Sequence, residues 1–180
     1  PGDAGKPTTV SFEGSENLKT SEVFFPLPMR FELFGITTYG YEGRLILPIN
    51  VEPEDRTRPL TIKAAVNYMV CEKVCVLMDH DYQLTIPANL DAGASNYQQA
   101  IMDYVAAVPK AQSTILDSLR IKEARVFGPV GHQSLVVDLV GANHLSGADI
   151  IIENGEQFHF GIPQRQLLAD GKTVRFKVSG

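Results

Sequence analysis

The chain has 180 residues, 44% of them hydrophobic, with nine Phe and six Tyr but no Trp, and a formal net charge of −5. That is enough apolar material to pack one large domain or two small ones. The acidic balance argues against nucleic acid as a partner, because phosphate binding needs a basic surface, and no apolar run of about 18 residues is present to span a membrane as a helix.

Residues 1–22 are rich in Gly, Pro, Ser and Thr, with one short alternating segment at Thr9-Val10-Ser11-Phe12. Asn17–Phe25 is ambiguous between strand and loop. Pro26 and Pro28 forbid a regular central strand, after which Met29–Phe34 reads as a strand. Gly35–Gly43 reads as a loop holding Tyr39 and Tyr41 between glycines. Arg44–Val51 is expected to be a strand interrupted by Pro48, hence an edge or a bulge, and Glu52–Pro59 a charged turn.

From Leu60 to Val70 every even position is apolar or small, whereas Thr61, Lys63 and Asn67 are polar. This period of two marks a half-buried strand. Cys71 continues on the odd face, away from the core. A return strand is expected near Tyr82, with Tyr82, Leu84 and Ile86 on one face and Pro87 ending it. Several short strands with turns between them suggest an immunoglobulin-like sandwich.

Ala94–Val108 carries the clearest helical signal. Ser95 is the expected N-cap, Ile101, Tyr104, Val105 and Val108 follow at helical spacing, and Pro109 stops the run. The remainder is strand-like again at Leu119–Phe127, Ser134–Val140, Ala148–Glu153, Gln157–Gly161 and Thr173–Val178. Asn154-Gly155 and Asp170-Gly171 are hairpin-type turns. The expected fold is therefore mainly β: two immunoglobulin-like β-sandwich modules in tandem, residues 1–92 and 113–180, joined by a helical connector at residues 93–112.

Only two cysteines occur, Cys71 and Cys75. A fully extended chain would hold them roughly 13 Å apart, and a disulfide needs Cα atoms within about 7 Å. Either the chain reverses at Glu72-Lys73-Val74 or these residues form one helical turn; flanking strands favour reversal. As a staple, a ring of this size stabilises by only ~2 kcal/mol, which suits a bond that is made and broken. The rival chemistry is a soft metal site: Cys71, Cys75, Met78 and His80 form a C-x3-C-x2-M-x-H set suited to Cu(I). His132, His144 and His159 are scattered and show no ligand spacing. Glu32, Glu42 and Asp79 are candidates to assist proton transfer, although each fits a solvated surface charge.

The run "VNYMVCEKVCVLMDHDYQLTIP", preceded by "FGITTYGYEGRLILPINV", resembles the N-terminal periplasmic domain of thiol:disulfide interchange proteins of the DsbD type. The resemblance is to the branch called suppressor of copper sensitivity protein B. It rests on Tyr39-Gly40-Tyr41-Glu42-Gly43, on Leu47-Pro48 and on Tyr68-x-Val70-Cys71-x3-Cys75, with the opening "PGDAGKP" and "FPLPMRFELFG" in support. It covers residues 1–90, and more loosely 115–180.

The resemblance implies a thiol–disulfide relay without a cofactor, in which Cys75 attacks the partner and Cys71 resolves the mixed disulfide. It implies a cap loop over the pair with Phe34, Tyr39 and Tyr41 as shields. The electron donor would be the transmembrane domain of the same reductase, and the acceptors periplasmic thioredoxin-like proteins. The setting would be the periplasm, as part of an inner-membrane protein whose signal peptide and first strands precede Pro1. The wider cysteine spacing of the prototype means that cap geometry is not transferable.

Overall fold

The computed structural model describes residues 6–33, 36–88, 95–110, 119–129, 132–152 and 161–179. Among these residues the protein is mainly β, its sheets in a sandwich-like arrangement, with one short helix. It divides into two compact units, Pro1–Pro109 and Lys110–Gly180.

In the first unit, β1 (Thr9–Ser11), β6 (Leu60–Cys71) and β7 (Cys75–Ile86) form an antiparallel sheet in the order β1-β6-β7. β2 (Leu18–Val23) pairs with β5 (Ile49–Pro53), and β3 (Met29–Leu33) with β4 (Ile36–Gly40). Two expectations are corrected here. Gly35–Gly43 is not simply a loop, because Ile36–Gly40 pairs with β3 from Leu33↔Ile36 to Met29↔Gly40; the β-branched run Ile36-Thr37-Thr38 outweighs the flanking glycines. The strand expected from Arg44 starts only at Ile49, since Pro48 brings no N–H to a ladder. Its carbonyl instead accepts the Phe24 N–H at 2.8 Å.

Asn17 holds the base of this unit. Its backbone is left-handed at φ 62°, where a short amide side chain is tolerated better than most. Its Oδ1 accepts the Asp55 N–H at 2.8 Å, and its Nδ2 donates to the carbonyls of Asp55, Arg58 and Pro59. The charged turn before β6 is thereby fixed in place.

The helix α1 (Gln98–Ala106) is shorter than the sequence pattern suggests. Ser95 does not cap it: Tyr97 is the N-cap residue and makes no side-chain cap hydrogen bond, while Ser95 Oγ accepts the Tyr97 N–H one turn earlier. The apolar stripe is not core, since Ile101, Met102 and Val105 are exposed. α1 is held by polar contacts, with the Leu27 N–H donating to the Ala107 carbonyl at 3.0 Å and the Tyr104 hydroxyl donating to the Arg44 carbonyl.

In the second unit, β8 (Leu119–Phe127), β9 (Ser134–Gly141), β10 (Gln164–Leu167) and β11 (Thr173–Ser179) form one antiparallel sheet in the order β10-β11-β9-β8. Val137, Leu139, Val174 and Phe176 make its core, with Leu135, Leu145, Ala148, Ile150 and Leu167 packed against them. Ala148–Ile152 is not a strand. Its alternation arises because Ala148 and Ile150 pack against the core from an irregular segment. β10 was not legible, being four residues of mostly polar character after Pro163. Asn154-Gly155 and residues 157–160 lie outside the described residues.

Asp170-Gly171 does form the β10–β11 turn. Asp170 Oδ1 accepts the N–H groups of Lys172 and Thr173, and Oδ2 accepts the Thr173 hydroxyl. These bonds to Thr173 and Lys172 hold the Asp170 carboxyl below its usual pKa. Gly171 sits at φ +66°, where a Cβ would also come within 2.7 Å of His144.

On the other face of this sheet Asp138, 5% exposed, takes a bidentate pair of bonds from Arg175 Nε (2.8 Å) and Nη2 (2.7 Å). The Arg175 hydrogen bonds hold the Asp138 carboxyl below its usual pKa, against the opposing effect of burial. A depressed native pKa contributes stability that is present above the unfolded value of about 3.9 and is lost as pH falls through the native one. Asp138→Asn is therefore expected to cost about 1–2 kcal/mol at pH 7 and to flatten the acid limb below about pH 4. Urea titrations at both pH values, followed by far-ultraviolet circular dichroism, check this. An equal loss at both would show that the charge is irrelevant.

Candidate functional site

β6 and β7 form a hairpin of two 12-residue strands in unbroken register, from Leu60↔Ile86 at the base to Cys71↔Cys75 at the tip. The chain thus reverses at Glu72-Lys73-Val74, with the Glu72 N–H donating to the Val74 carbonyl at 3.2 Å. The return strand begins at Cys75 itself, not near Tyr82, because the apolar run Val76-Leu77-Met78 continues the ladder directly from the turn. Cys71 and Cys75 face each other across the strands with Cα atoms 4.1 Å apart and are joined in a disulfide.

Burial falls away toward this tip. Leu60 is 5% exposed and Val70 is 52% exposed. β1 pairs with β6 only at Ala65–Asn67, so from Tyr68 to Cys71 the ladder partner of β6 among the described residues is β7. The disulfide therefore sits at the end of a projecting two-stranded ribbon. Cys71, on the inner strand, is half-buried, and Cys75, on the edge strand, is exposed. Val70, Val74, Val76 and Leu77 are all more than half exposed and give the tip an apolar collar. Glu72 and Lys73, in the turn, are exposed charges of opposite sign, so neither biases the sulfurs alone.

Strand alternation sorts the other candidates. Met69↔Leu77 and Asn67↔Asp79 lie on the face of the disulfide. Asp79 is therefore two and four residues removed from Leu77 and Cys75 on one face, in the direction of the hairpin base. Met78 and His80 fall on the opposite face, paired with Tyr68 and Val66. There His80 belongs to an aromatic row. Its ring centroid is 5.8 Å from that of Tyr68 and 6.3 Å from that of Tyr82, and its Nδ1 is 3.5 Å from the Tyr68 hydroxyl. The four soft donors Cys71, Cys75, Met78 and His80 are thus split between two faces of the hairpin. The signal was in the sequence, since the odd and even spacing from Cys75 separates them once the strand reaches the turn.

The shielding candidates lie on another hairpin. Tyr39, on β4, is opposite Arg30, whose guanidinium carbon is 5.7 Å from the Tyr39 ring centre. Tyr41 follows β4 and its hydroxyl donates to the Pro26 carbonyl at 2.7 Å; partial burial raises the phenol pKa. Phe34 lies outside the described residues. Glu32, on β3, pairs with Thr37, and Glu42 is exposed just after β4. The collar valines, Leu77 and Met69 were not singled out by sequence, because valine and leucine in an alternating run read as core.

The family model described as thiol:disulfide interchange protein DsbD, N-terminal, matches residues 4–87, a stretch that ends one residue beyond β7. This supports a DsbD N-terminal domain over that stretch, and such domains are periplasmic and carry out thiol–disulfide exchange. No curated protein and no solved structure matches the chain. Among the described residues no helix is long and apolar enough to cross a membrane.

Proposed function

We propose that residues 4–87 work as a thiol–disulfide relay of the DsbD N-terminal type, passing electrons through Cys71 and Cys75. The observation that carries this is the joining of the chain's two cysteines at the exposed end of the β6–β7 hairpin, inside the matched stretch. The donor in this reading is the transmembrane domain of the same reductase. The acceptors are oxidised thioredoxin-like proteins of the periplasm, and no cofactor takes part. In this reading the domain is of the suppressor of copper sensitivity protein B branch, which Tyr39-Gly40-Tyr41-Glu42-Gly43 and Tyr68-x-Val70-Cys71-x3-Cys75 resemble.

The chemistry asked of the site is modest. A thiolate must reach a disulfide sulfur, and a second thiol must then resolve the mixed disulfide. Exposure suits Cys75 to the first step, and the opposed Cys71 to the second. Tyr39 and Tyr41 are the candidate shields, together with Phe34: a cap resting on the β3–β4 hairpin would slow stray oxidants and move aside for a partner. Splitting of the soft donors between two faces favours this relay over a Cu(I) site built from Cys71, Cys75, Met78 and His80.

The test is a redox titration of the purified chain against glutathione and dithiothreitol, with thiol trapping and mass readout. A single reversible two-electron transition, unshifted by stoichiometric Cu(I), is the expected result. A disulfide that resists reduction across the buffer range, or Cu(I) that blocks trapping of both thiols, would remove the basis of the relay.

A further inference from the structure

Among the described residues β7 is an edge strand, and the direction in which its backbone points bears on how a partner is held. At 4.1 Å the Cα atoms of Cys71 and Cys75 have the close spacing of a non-hydrogen-bonded pair. The other end of the hairpin gives the same phase. Thr61 exchanges backbone hydrogen bonds with Glu16, and the Lys63 N–H donates to Ser15 Oγ, so the odd residues of β6 direct their backbone groups away from β7. In an antiparallel ladder without a bulge, the odd residues of β7 then direct theirs away from β6. Cys75, Leu77, Asp79, Asp81, Gln83 and Thr85 present N–H and C=O groups to the free edge, and nothing among the described residues pairs with them.

The geometry of exchange brings a partner to that edge. In the reaction read above, the Cys75 thiolate attacks one sulfur of the client disulfide, and the other client sulfur leaves as a thiolate and takes up a proton. The Cys71 thiolate then attacks Cys75 Sγ, re-forming Cys71–Cys75 and expelling the second client sulfur. Two electrons and two protons pass to the client. Displacement at sulfur is collinear, so the departing client sulfur lies beyond Cys75 on the side opposite Cys71. The line from Cys71 to Cys75 runs from the inner strand to the edge strand. Its continuation crosses the open edge of β7.

We infer that the outward edge of β7, from Cys75 through Asp79, is a docking rail on which the segment flanking the reactive cysteine of a thioredoxin-like partner adds as an extended strand. This rests on the exchange reading, and names how the same site holds its partner. Main-chain pairing of this kind gives affinity without demanding a fixed partner sequence. Two copies of β7 do not suit each other as occupants, because exposed Asp79 and Asp81 would bring like charges together across the new ladder.

Proline separates the rail from the fold. At an outward-facing edge position it removes a free N–H without breaking the β6–β7 ladder. The reduced forms of the wild type, Asp79→Pro, Asp79→Ala, Leu77→Pro and Leu77→Ala are compared as reductants of oxidised thioredoxin and, separately, of oxidised glutathione. Amide hydrogen exchange checks the ladder. The proline variants are expected to reduce thioredoxin about ten-fold more slowly than the matching alanine variants, while each proline variant and its alanine counterpart reduce glutathione at the same rate. Equal rates for proline and alanine would overturn the rail, as would loss of the ladder in both proline variants, which would mean that those N–H groups point inward. A wild type that reduces neither probe would instead overturn the exchange reading.

Discussion

Cys71→Ser is expected to arrest the protein as a long-lived mixed disulfide through Cys75, whereas Cys75→Ser forms no such adduct. Cys75 is exposed on the edge strand, and Cys71 is half-buried on the inner strand. In the proposed relay an incoming disulfide is therefore expected to meet the Cys75 sulfur first. The wild-type adduct is expected to be short-lived in that relay, because Cys71 is held across the ladder from Cys75, with Cα atoms 4.1 Å apart. A neighbouring thiol fixed in this way competes at an effective concentration far above that of any thiol in solution. Its loss is expected to lengthen the adduct lifetime by about a hundred-fold or more. Incubation of each reduced variant with oxidised thioredoxin, quenched with acid and read by intact mass, measures this directly. Adducts of equal lifetime on both variants would mean that strand position does not set the order of attack.

The hairpin that carries the cysteines was legible because its signal is local. Alternation from Leu60 to Val70 fixes a strand, and two cysteines that close must either reverse or coil. The mislocated start of the return strand shows the limit of such reading. Asp79-His80-Asp81 interrupts the apolar pattern, so Val76-Leu77-Met78 looks detached from Tyr82-x-Leu84-x-Ile86, although the ladder joins them without a bulge. Met78 and His80 join the sulfurs only by sequence spacing, and the same unbroken ladder puts them on the other face.

Positions decided by tertiary contact were less legible. Ile101 and Val105 have helical spacing yet remain exposed, because α1 is held through the Ala107 carbonyl and the Tyr104 hydroxyl rather than through its stripe. Ala148 and Ile150 alternate like a strand, yet serve as an irregular cover for the second core. The Asp170-Gly171 turn was legible for the opposite reason. Its side-chain bonds are made to residues two and three places along the chain, so the sequence contains the whole interaction.

Phe176→Ala is expected to cost the second unit about 3–5 kcal/mol, the range for deleting a fully buried aromatic ring. Phe176 is 0% exposed and stands opposite Val137 on β9 and Arg165 on β10. Val174 and Val178, also 0% exposed, flank it along β11 on the same face. A strand in the middle of a sheet cannot move to refill that space without losing its ladders on both sides, so a cavity is the expected result. Against a domain stability of roughly 5–15 kcal/mol, this is a large fraction. Phe127→Ala on β8 is the matched control. That ring is 47% exposed and its contact is Lys177, whose Nζ is 5.7 Å from the ring centre, so less than about 1 kcal/mol is expected. The probe has to be chosen for the unit. The chain has no Trp and all six Tyr precede residue 110, leaving intrinsic fluorescence blind to this sheet. Hydrogen exchange at the β9 and β11 amides in rising urea reads it directly. Similar losses for the two phenylalanines would mean that the second core is not centred on β11.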